Sequence, residues 1–474
     1  MGIIKTLNGI FWGWLIAGLL LSIGVFYTIL LKFPQVRHFK QLFTNIIAGM
    51  KKKDGVSGFG ALCAAVGGQV GTGSLVGVAT ALASGGPGAI FWMWVTAILG
   101  MPINFGEAVL GQIYRRKNKD GTFYGGPAYY MEKGLNSKLL ASLFSITVIV
   151  GIGFNYAMIQ SNSISNAVTG VIDIKPLYAG IGLLILVALV VFGGIKRLAD
   201  FSSVIVPFMA AAYILIALYV ILSNISILPA VFSLIFKSAF NFNAAVGGVT
   251  GYTIKEAFRF GVARGLFSND AGNGTTPSMH ASANVKHPVN QGFAAMLGVF
   301  ITTMIVCSCT AFIILFTGAL DSGETGIALT QVAFQKGISF GNWVVVAAML
   351  LFGFTTLLAD IYYGEVNIKY FLPNNDRVIM IYKILCMGII IVGAVAPVTF
   401  LWEMADFFGA FMVFFNSIAM IGLAKHVKRV YLDYRKQKNA GIKEPVWDYD
   451  GFIKESEGKI TNNQKKDGEA YVDF

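Results

Sequence analysis

Charge is what this chain has least of: only 13% of its 474 residues are Asp, Glu, Lys or Arg, where soluble domains carry roughly a quarter. With 55% of the residues hydrophobic, too few polar groups remain to cover a water-facing surface, which excludes a soluble globular protein. Cysteine is equally sparse. Cys63, Cys307, Cys309 and Cys386 all lie in apolar runs, and no pair has the Cys-x-x-Cys spacing of a zinc or redox site. They read as small buried hydrophobes. Of the four histidines, His280 and His287 fall in one polar loop, without a metal partner at ligand spacing. A Walker A loop and a His-Glu-x-x-His motif are missing too. The best acid/base pair is Asp270 with His280, a weak basis for an enzyme. The reading is therefore of a protein that is not an enzyme and needs no cofactor.

What is abundant is long apolar sequence. Runs at 12–31, 139–159, 177–192, 202–222, 292–316 and 378–396 approach or exceed the roughly 17 to 25 residues of a spanning helix. They are continuously apolar and much longer than the alternating strands of an outer-membrane barrel, so the fold class is an all-α polytopic membrane protein. The first run, Trp12 to Leu31, is too long for a signal-peptide core and lacks a small-residue cleavage site. It is read as a retained helix. The 55 glycines exceed the usual ~7% and suit both close helix packing in lipid and deliberate backbone breaks.

Spans are expected near 12–31, 58–84, 88–114, 139–168, 177–193, 202–223, 244–267, 290–318, 341–370, 377–396 and 398–424, about eleven in all. The net charge of +12 invites a nucleic-acid reading, but the cations cluster beside helix ends. Lys32, Arg37, Lys40 and Lys51–Lys53 follow the first span, Arg115, Arg116, Lys117 and Lys119 the third, Lys196 and Arg197 the fifth, and the tail after Lys425 is basic. The intervening loops hold only Lys175, Lys237 and Lys336. The positive-inside rule then puts the N-terminus outside and the C-terminus in the cytoplasm of a cell membrane, which an odd number of spans satisfies. Residues 229–240 are too short to span and read as an in-plane helix on the outer side. The polar tail from about 436 reads as a flexible cytoplasmic appendage. Lipid is the expected surroundings, and nucleic acid is not an expected partner.

Two segments break the membrane rules. In Ala65 to Gly77, AVGGQVGTGSLVG, five glycines surround Gln69, Thr72 and Ser74, each costing about 1 kcal/mol in a helix interior. Gly73 and Gly77 alone could serve helix packing, and Gly71, Gly73, Gly77 are spaced one residue too long for a dinucleotide fingerprint. The full set reads as a discontinuous helix whose freed N–H groups meet a carboxylate and whose freed carbonyls meet sodium. The second segment, Arg264 to Pro277, RGLFSNDAGNGTTP, places Asn269, Asp270, Gly272, Asn273 and Gly274 directly after an apolar run. Its alternative is a plain loop at the membrane edge.

Further polar groups suit a third wall. Asn155, Asn162 and Asn166 share one helical face, with Gln160 and Ser163 nearby, although interhelical hydrogen bonding explains them equally. Thr355 and Thr356 offer hydroxyl oxygens to a hard cation, and Asp360 lies one turn on. A carboxylate at mid-span costs roughly 2.5 to 3.5 kcal/mol to insert, so a cation, an amine or water must offset it. Glu107 poses the same question, with a structural pairing as the alternative.

At these residues the chain resembles the sodium:alanine symporter family, also called alanine or glycine:cation symporters. The resemblance runs over about residues 55–425 and rests on VGTGSLVGVATALASGGPGAIFWMW, YRRKNKDGTFYGGPAYYMEKGL, QSNSISNAV, FRFGVARGLFSNDAGNGTTPSMHASA with HPVNQG, and YYGE. It implies a leucine-transporter-like core of two inverted five-helix repeats after one extra helix. The division would be 1–57 for the extra helix and basic loop, 58–225 and 226–425 for the repeats, and 426–474 for the tail. The two breaks would be the first helices of the repeats. It further implies sodium-coupled uptake of a small neutral amino acid of the alanine or glycine class by alternating access. The substrate site would be Gln69, Gly71, Thr72, Gly73, Ser74, Gln160, Ser268, Asn269, Asp270, Gly272 and Asp360, with Thr72 and Gly73 giving amides to the substrate carboxylate. Sodium, the coupling ion, would meet carbonyls of Gly67 and Val70 and hydroxyls of Thr355 and Thr356. The chain departs from the family at Ser74 (usually Asn), Asp270 (Glu), Asn273 (aliphatic or Met), near Thr302 (Asp) and at Asp360 (Trp). Exchanging a Trp for Asp360 trades bulk for charge, and the alternative substrate is a larger polar or cationic amino acid. An ion channel is the rival class, but two unlike breaks fit an enclosed asymmetric site better than a symmetric filter.

Overall fold

The computed structural model describes residues 2–49, 55–240, 253–373, 375–449 and 451–452. Those residues form an all-α bundle, in chain order α1 (Gly2–Leu30), α2 (Pro34–Arg37), α3 (Phe39–Gly49), α4 (Gly58–Gly85), α5 (Gly88–Ile113), α6 (Pro127–Leu135), α7 (Lys138–Thr169), α8 (Pro176–Val191), α9 (Gly194–Ser223), α10 (Leu228–Phe240), α11 (Ile254–Asn269), α12 (Thr276–Ser282), α13 (Pro288–Phe316), α14 (Gly326–Gly337), α15 (Gly341–Phe371), α16 (Asp376–Val395), α17 (Val398–Gly422) and α18 (Ala424–Asn439). A short antiparallel hairpin, β1 (Arg116–Lys117) and β2 (Phe123–Tyr124), follows α5. Among the described residues nine helices are long and apolar enough to cross a membrane, and α8, at 16 residues, is shorter.

The helix ends follow from local chemistry. The Ser57 side chain accepts the Gly60 N–H at 2.9 Å to open α4, and Thr253 with Glu256 forms a reciprocal capping box at the start of α11. Proline sits in the first turn of α2, α6, α8, α12 and α13, where its missing N–H leaves no bond unmade. Pro102 and Pro207 lie inside α5 and α9, where packed neighbours compensate.

Several sequence expectations are revised. The first helix begins at Gly2 rather than Trp12, because Asn8 Nδ2 donates to the backbone and side chain of Glu403 (2.8 and 2.7 Å) and draws that turn onto α17. The basic loop after it contains α2 and α3, and the loop expected at 319–340 contains α14. Of the span expected at 244–267, residues 244–252 lie outside the described residues. Of the tail expected to be flexible from about 436, residues 436–449 and 451–452 are described, and they pack against the bundle. Trp447 and Phe452 are buried there, and the backbone N–H of Trp447 donates to the Lys286 carbonyl at 2.9 Å.

Burial identifies the centre. The most apolar stretch of α4 is completely buried and that of α15 is 78% buried, against 28% for α9. Thus the glycine-rich helix lies at the middle of the bundle, packed on α15, α9 and α13. The hairpin, α12 and α18 mark one end of the bundle, and α10 marks the other.

Candidate functional site

The first break is sharp. Within α4, Gly71 alone leaves helical geometry (φ −34°, ψ −141°), and a π-helical turn, Gly73–Gly77, follows. This is a one-residue kink rather than the extended unwinding anticipated. It frees the Thr72 N–H, which donates to Gln160 Oε1 at 3.1 Å. Glycine is required by close approach: a Cβ on Gly71 would stand 2.2 Å from Thr356 Oγ1, and one on Gly73 2.8 Å from the Phe267 carbonyl oxygen.

The second break is wide. Helix α11 stops at Asn269, Asp270 takes a left-handed conformation (φ 55°), Gly272 and Gly274 follow at φ 92° and 82°, and α12 resumes at Thr276. A side chain from α5 grips this loop. Glu107 accepts the Gly272 and Gly274 N–H groups at 3.0 Å each and Asn416 Nδ2 at 2.6 Å. Asn416 also donates to the Gly272 carbonyl at 3.0 Å. The carboxyl at 107 is thus a structural tie that replaces the helical bonds lost at the break. Gln69 Nε2 donates to the Asn269 carbonyl at 2.6 Å, joining the two breaks directly.

Between the breaks lies a cavity of about 10 Å³, room for about one water. Of the expected substrate residues it is lined by Gln69, Gly71, Gly73, Gln160, Asp270 and Asp360. Thr72 is adjacent, its amide taken by Gln160. The others face elsewhere. Ser74 sits a turn away, its carbonyl accepting Thr310 Oγ1 at 2.7 Å. Ser268 turns to Thr303 and Cys307 (3.2 and 2.9 Å), Asn269 Oδ1 caps the Ala271 N–H at 3.0 Å, and Gly272 backs onto Leu20 of α1. Asn155, Asn162 and Asn166 do not form a wall. Asn155 donates to Leu401 O, Asn162 to Gly393 O and Ala396 O, and Asn166 to Asn162, binding α7 to α16 and α17.

The expected sodium ligands largely converge. The Gly67 carbonyl receives Thr355 Oγ1 at 3.1 Å and Thr356 Oγ1 at 2.7 Å, three hard oxygens from α4 and α15, with Val70 buried one turn along. Such oxygens suit a small hard cation, for which the hydroxyl lone pairs would turn inward.

Sequence reasoning missed the aromatic cover. Tyr156 and Phe267 line the cavity, their rings 4.8 Å apart, and Phe267 packs at a tilt against Trp402 with ring centres 4.7 Å apart. Just beyond, Arg264 forms a two-pronged pair with Asp406 (2.8 and 2.9 Å) and lies over the Trp402 ring at 4.5 Å. Tyr156 stands one turn from Gln160, the one signal for it; the partners of Arg264 are more than 130 residues away. Toward the hairpin end, Gln112 donates to the His280 and Ala283 carbonyls, His280 Nδ1 pairs with Gln291 at 2.7 Å, and Asn284 N donates to Val56 O at 2.9 Å. Bonded contacts thus stand between the cavity and each end of the bundle.

A polar cavity at two interrupted helices in an apolar bundle is the architecture of a secondary transporter. The fold agrees with that of MhsT, crystallised in complex with L-phenylalanine, at a TM-score of 0.55 over 81% of this chain and 98% of that one, with 14% sequence identity. The family model for the sodium:alanine symporter family matches residues 1–449. The chain is 41% identical over 462 residues to the probable sodium/glutamine symporter GlnT of Bacillus subtilis (96% of this chain, 95% of that one). It is 35% identical over 461 residues to the sodium/alanine symporter AgcS of Methanococcus maripaludis (93% and 99%). The chain belongs to the sodium:alanine symporter family; it is a multi-pass membrane carrier and not an enzyme.

Proposed function

We propose that the chain carries an amino acid into the cell with sodium by alternating access around this cavity, either a small neutral one of the alanine or glycine class or a larger polar or cationic one. The observation that carries the reading is the convergence of the Gly67 carbonyl and the Thr355 and Thr356 hydroxyls beside a cavity bordered by Gly71 and Gly73. One helix kink thus serves both ligands. Sodium bound to α15 and α4 places positive charge near the substrate carboxylate, so each favours the other's binding. Val70 would add its carbonyl to the sodium set. The backbone amides at Thr72 and Gly73 would receive the carboxylate once Gln160 yields its bond, with Asp270 toward the amino group. Relatives named for alanine and for glutamine support a substrate of this size range.

In this reading Arg264–Asp406 and the Tyr156–Phe267 cover form the outer closure, and the hairpin end is cytoplasmic, with the N-terminus outside. A sodium ion moving through about 100 mV gains about 2.3 kcal/mol, and a tenfold gradient adds about 1.4. Together they support roughly a few-hundred-fold accumulation. The test is uptake of labelled alanine into proteoliposomes with and without an inward sodium gradient, competed by glycine, serine, glutamine and lysine. Sodium-driven, saturable uptake is expected, and indifference to sodium for every one of these amino acids overturns the reading.

A further inference from the structure

We propose that Asp360 reads the substrate's side chain and selects amino acids whose side chain ends in a hydrogen-bond-donating nitrogen. The inference rests on the amino-acid symport reading above and assigns a substrate class to the same site.

Two carboxyl groups, Asp270 and Asp360, border the cavity, and among the described residues no Lys, Arg or His does. They are not equivalent. Asp270 belongs to the loop of the second break, and its Oδ1 lies 3.4 Å from Asn273 Nδ2. Asp360 stands on the continuous helix α15, is only 3% exposed, and its Oδ2 has no hydrogen-bond partner. The cations nearest the core are committed elsewhere, Arg264 to Asp406 and Lys369 and Lys383 to Glu365. A buried acceptor without a donor is costly, and an N–H or N⁺–H from the occupant is the group that satisfies it.

The position fits a side-chain terminus rather than the amino-acid head. Asp360 is four residues beyond Thr356, about 6 Å along the helix axis from the hydroxyl that borders the sodium set. In the proposed binding mode the side chain of a substrate anchored at Gly71 to Gly73 runs along α15 toward this carboxyl as the cavity widens around it, a course that a chain of three or four atoms can take. Tyr363, on the same face of α15, brings a second unpartnered group. Its hydroxyl lies 2.9 Å from where a Cβ on Gly68 would stand. That hydroxyl lies behind Gly68, outside the cavity lining; turned inward, it would complete an acceptor and donor pair complementary to a carboxamide, while the carboxylate alone also suits an ammonium. Both sources share the donor nitrogen, and an apolar chain of equal length supplies none.

The test uses the purified full-length chain in proteoliposomes under an inward sodium gradient, with uptake of labelled alanine, glutamine, lysine and methionine measured in parallel. Methionine matches glutamine in length without the N–H. The expected result is kcat/KM for glutamine, lysine or both at least about tenfold above methionine, the discrimination of a site built around a buried polar group. In Asp360→Leu that ratio should collapse to about unity, whereas Asp360→Asn should lose lysine and keep part of any glutamine preference. A wild-type protein that carries alanine with sodium but treats methionine and glutamine alike overturns this inference and leaves the symport reading standing. An Asp360→Leu ratio within about twofold of wild type does the same. Failure of sodium to drive any of the four overturns both. Should the variants not fold, ligand-induced thermal stabilisation of the wild type in sodium decides the matter: glutamine or lysine stabilising more than methionine supports the inference, and equal shifts overturn it.

Discussion

Single atoms set the tolerances of this site. Glu107 holds three donors from the second break and from α17, so Glu107→Gln turns an N–H₂ toward groups that are themselves donors. The expected cost is about 1–3 kcal/mol for the donor left unsatisfied, seen as a lower unfolding temperature in detergent and slower transport. Gly71 is constrained by space: a Cβ there would overlap Thr356 Oγ1 and stand 2.6 Å from Thr356 Cβ. Gly71→Ala should separate α4 from α15, reduce sodium-driven uptake at least about tenfold and raise the sodium concentration for half-maximal rate, since overpacking costs about 1–3 kcal/mol. The carboxyl at 107 was visible in the sequence only as an expensive residue in a span. Its partners lie 165 to 309 residues away, beyond what spacing along the chain can show.

Among elements, the segment after α18 departs furthest from what its composition implied. Polar and basic sequence reads as disordered, yet here a few aromatics anchor it. Tyr449 donates to Gln112 at 3.1 Å while the Arg115 guanidinium lies 4.4 Å from its ring centre. Trp447 and Tyr434 flank the His287 ring at 5.8 and 5.1 Å. His287 Nδ1 accepts the Val289 N–H, and Nε2 faces Asp433 at 3.2 Å. Burial pushes the His287 pKa down to about 4, Asp433 only partly offsetting it. A freed loop would titrate near the ordinary 6.5, so docking of this strap is at full strength above that value and weakens as pH falls from 6.5 toward 4. Hydrogen exchange across residues 443–452 should therefore accelerate at pH 5 relative to pH 7.5, and His287→Phe should flatten the dependence. Because the strap holds the loop that pairs with Val56 at the start of α4, Trp447→Ala is expected to change the transport rate more than the substrate KM.

At the scale of the whole molecule, the proposed cycle makes the two ends of the bundle antagonists around one small cavity. In the proposed alternating-access cycle, opening the α10 end would part the Arg264–Asp406 pair, and opening the hairpin end would part Val56 from Ala283 and Gly58 from Gln291. Asp406→Asn leaves Arg264 buried without its counter-charge, which costs about 3–5 kcal/mol. That variant should favour the state open at the α10 end, which the proposed orientation puts outside, read as faster labelling of a cysteine placed at Phe267 from the outside of intact cells. Replacing sodium by choline should slow closure and lower uptake of every substrate alike.

Sequence alone determined the membrane class, the helical fold, the family, and the two glycine-rich segments, because scarcity of charge, run length and glycine clustering are local properties. The Thr355 and Thr356 hydroxyls stand out in an apolar run, whereas Gly67 is reached only through the family resemblance; the structure brings the three together, with Thr355 also bonding back to the Phe352 carbonyl. Only the tertiary structure decided which polar residues face the cavity. It separated Gln160 from the asparagines of the same helix, turned Ser268 away while leaving Asp360 at the wall, and assembled Arg264, Asp406, Tyr156 and Phe267 into a cover. The physical reason is that a helical polar residue can satisfy itself on a neighbouring helix or on a ligand, and the choice depends on which helix packs beside it.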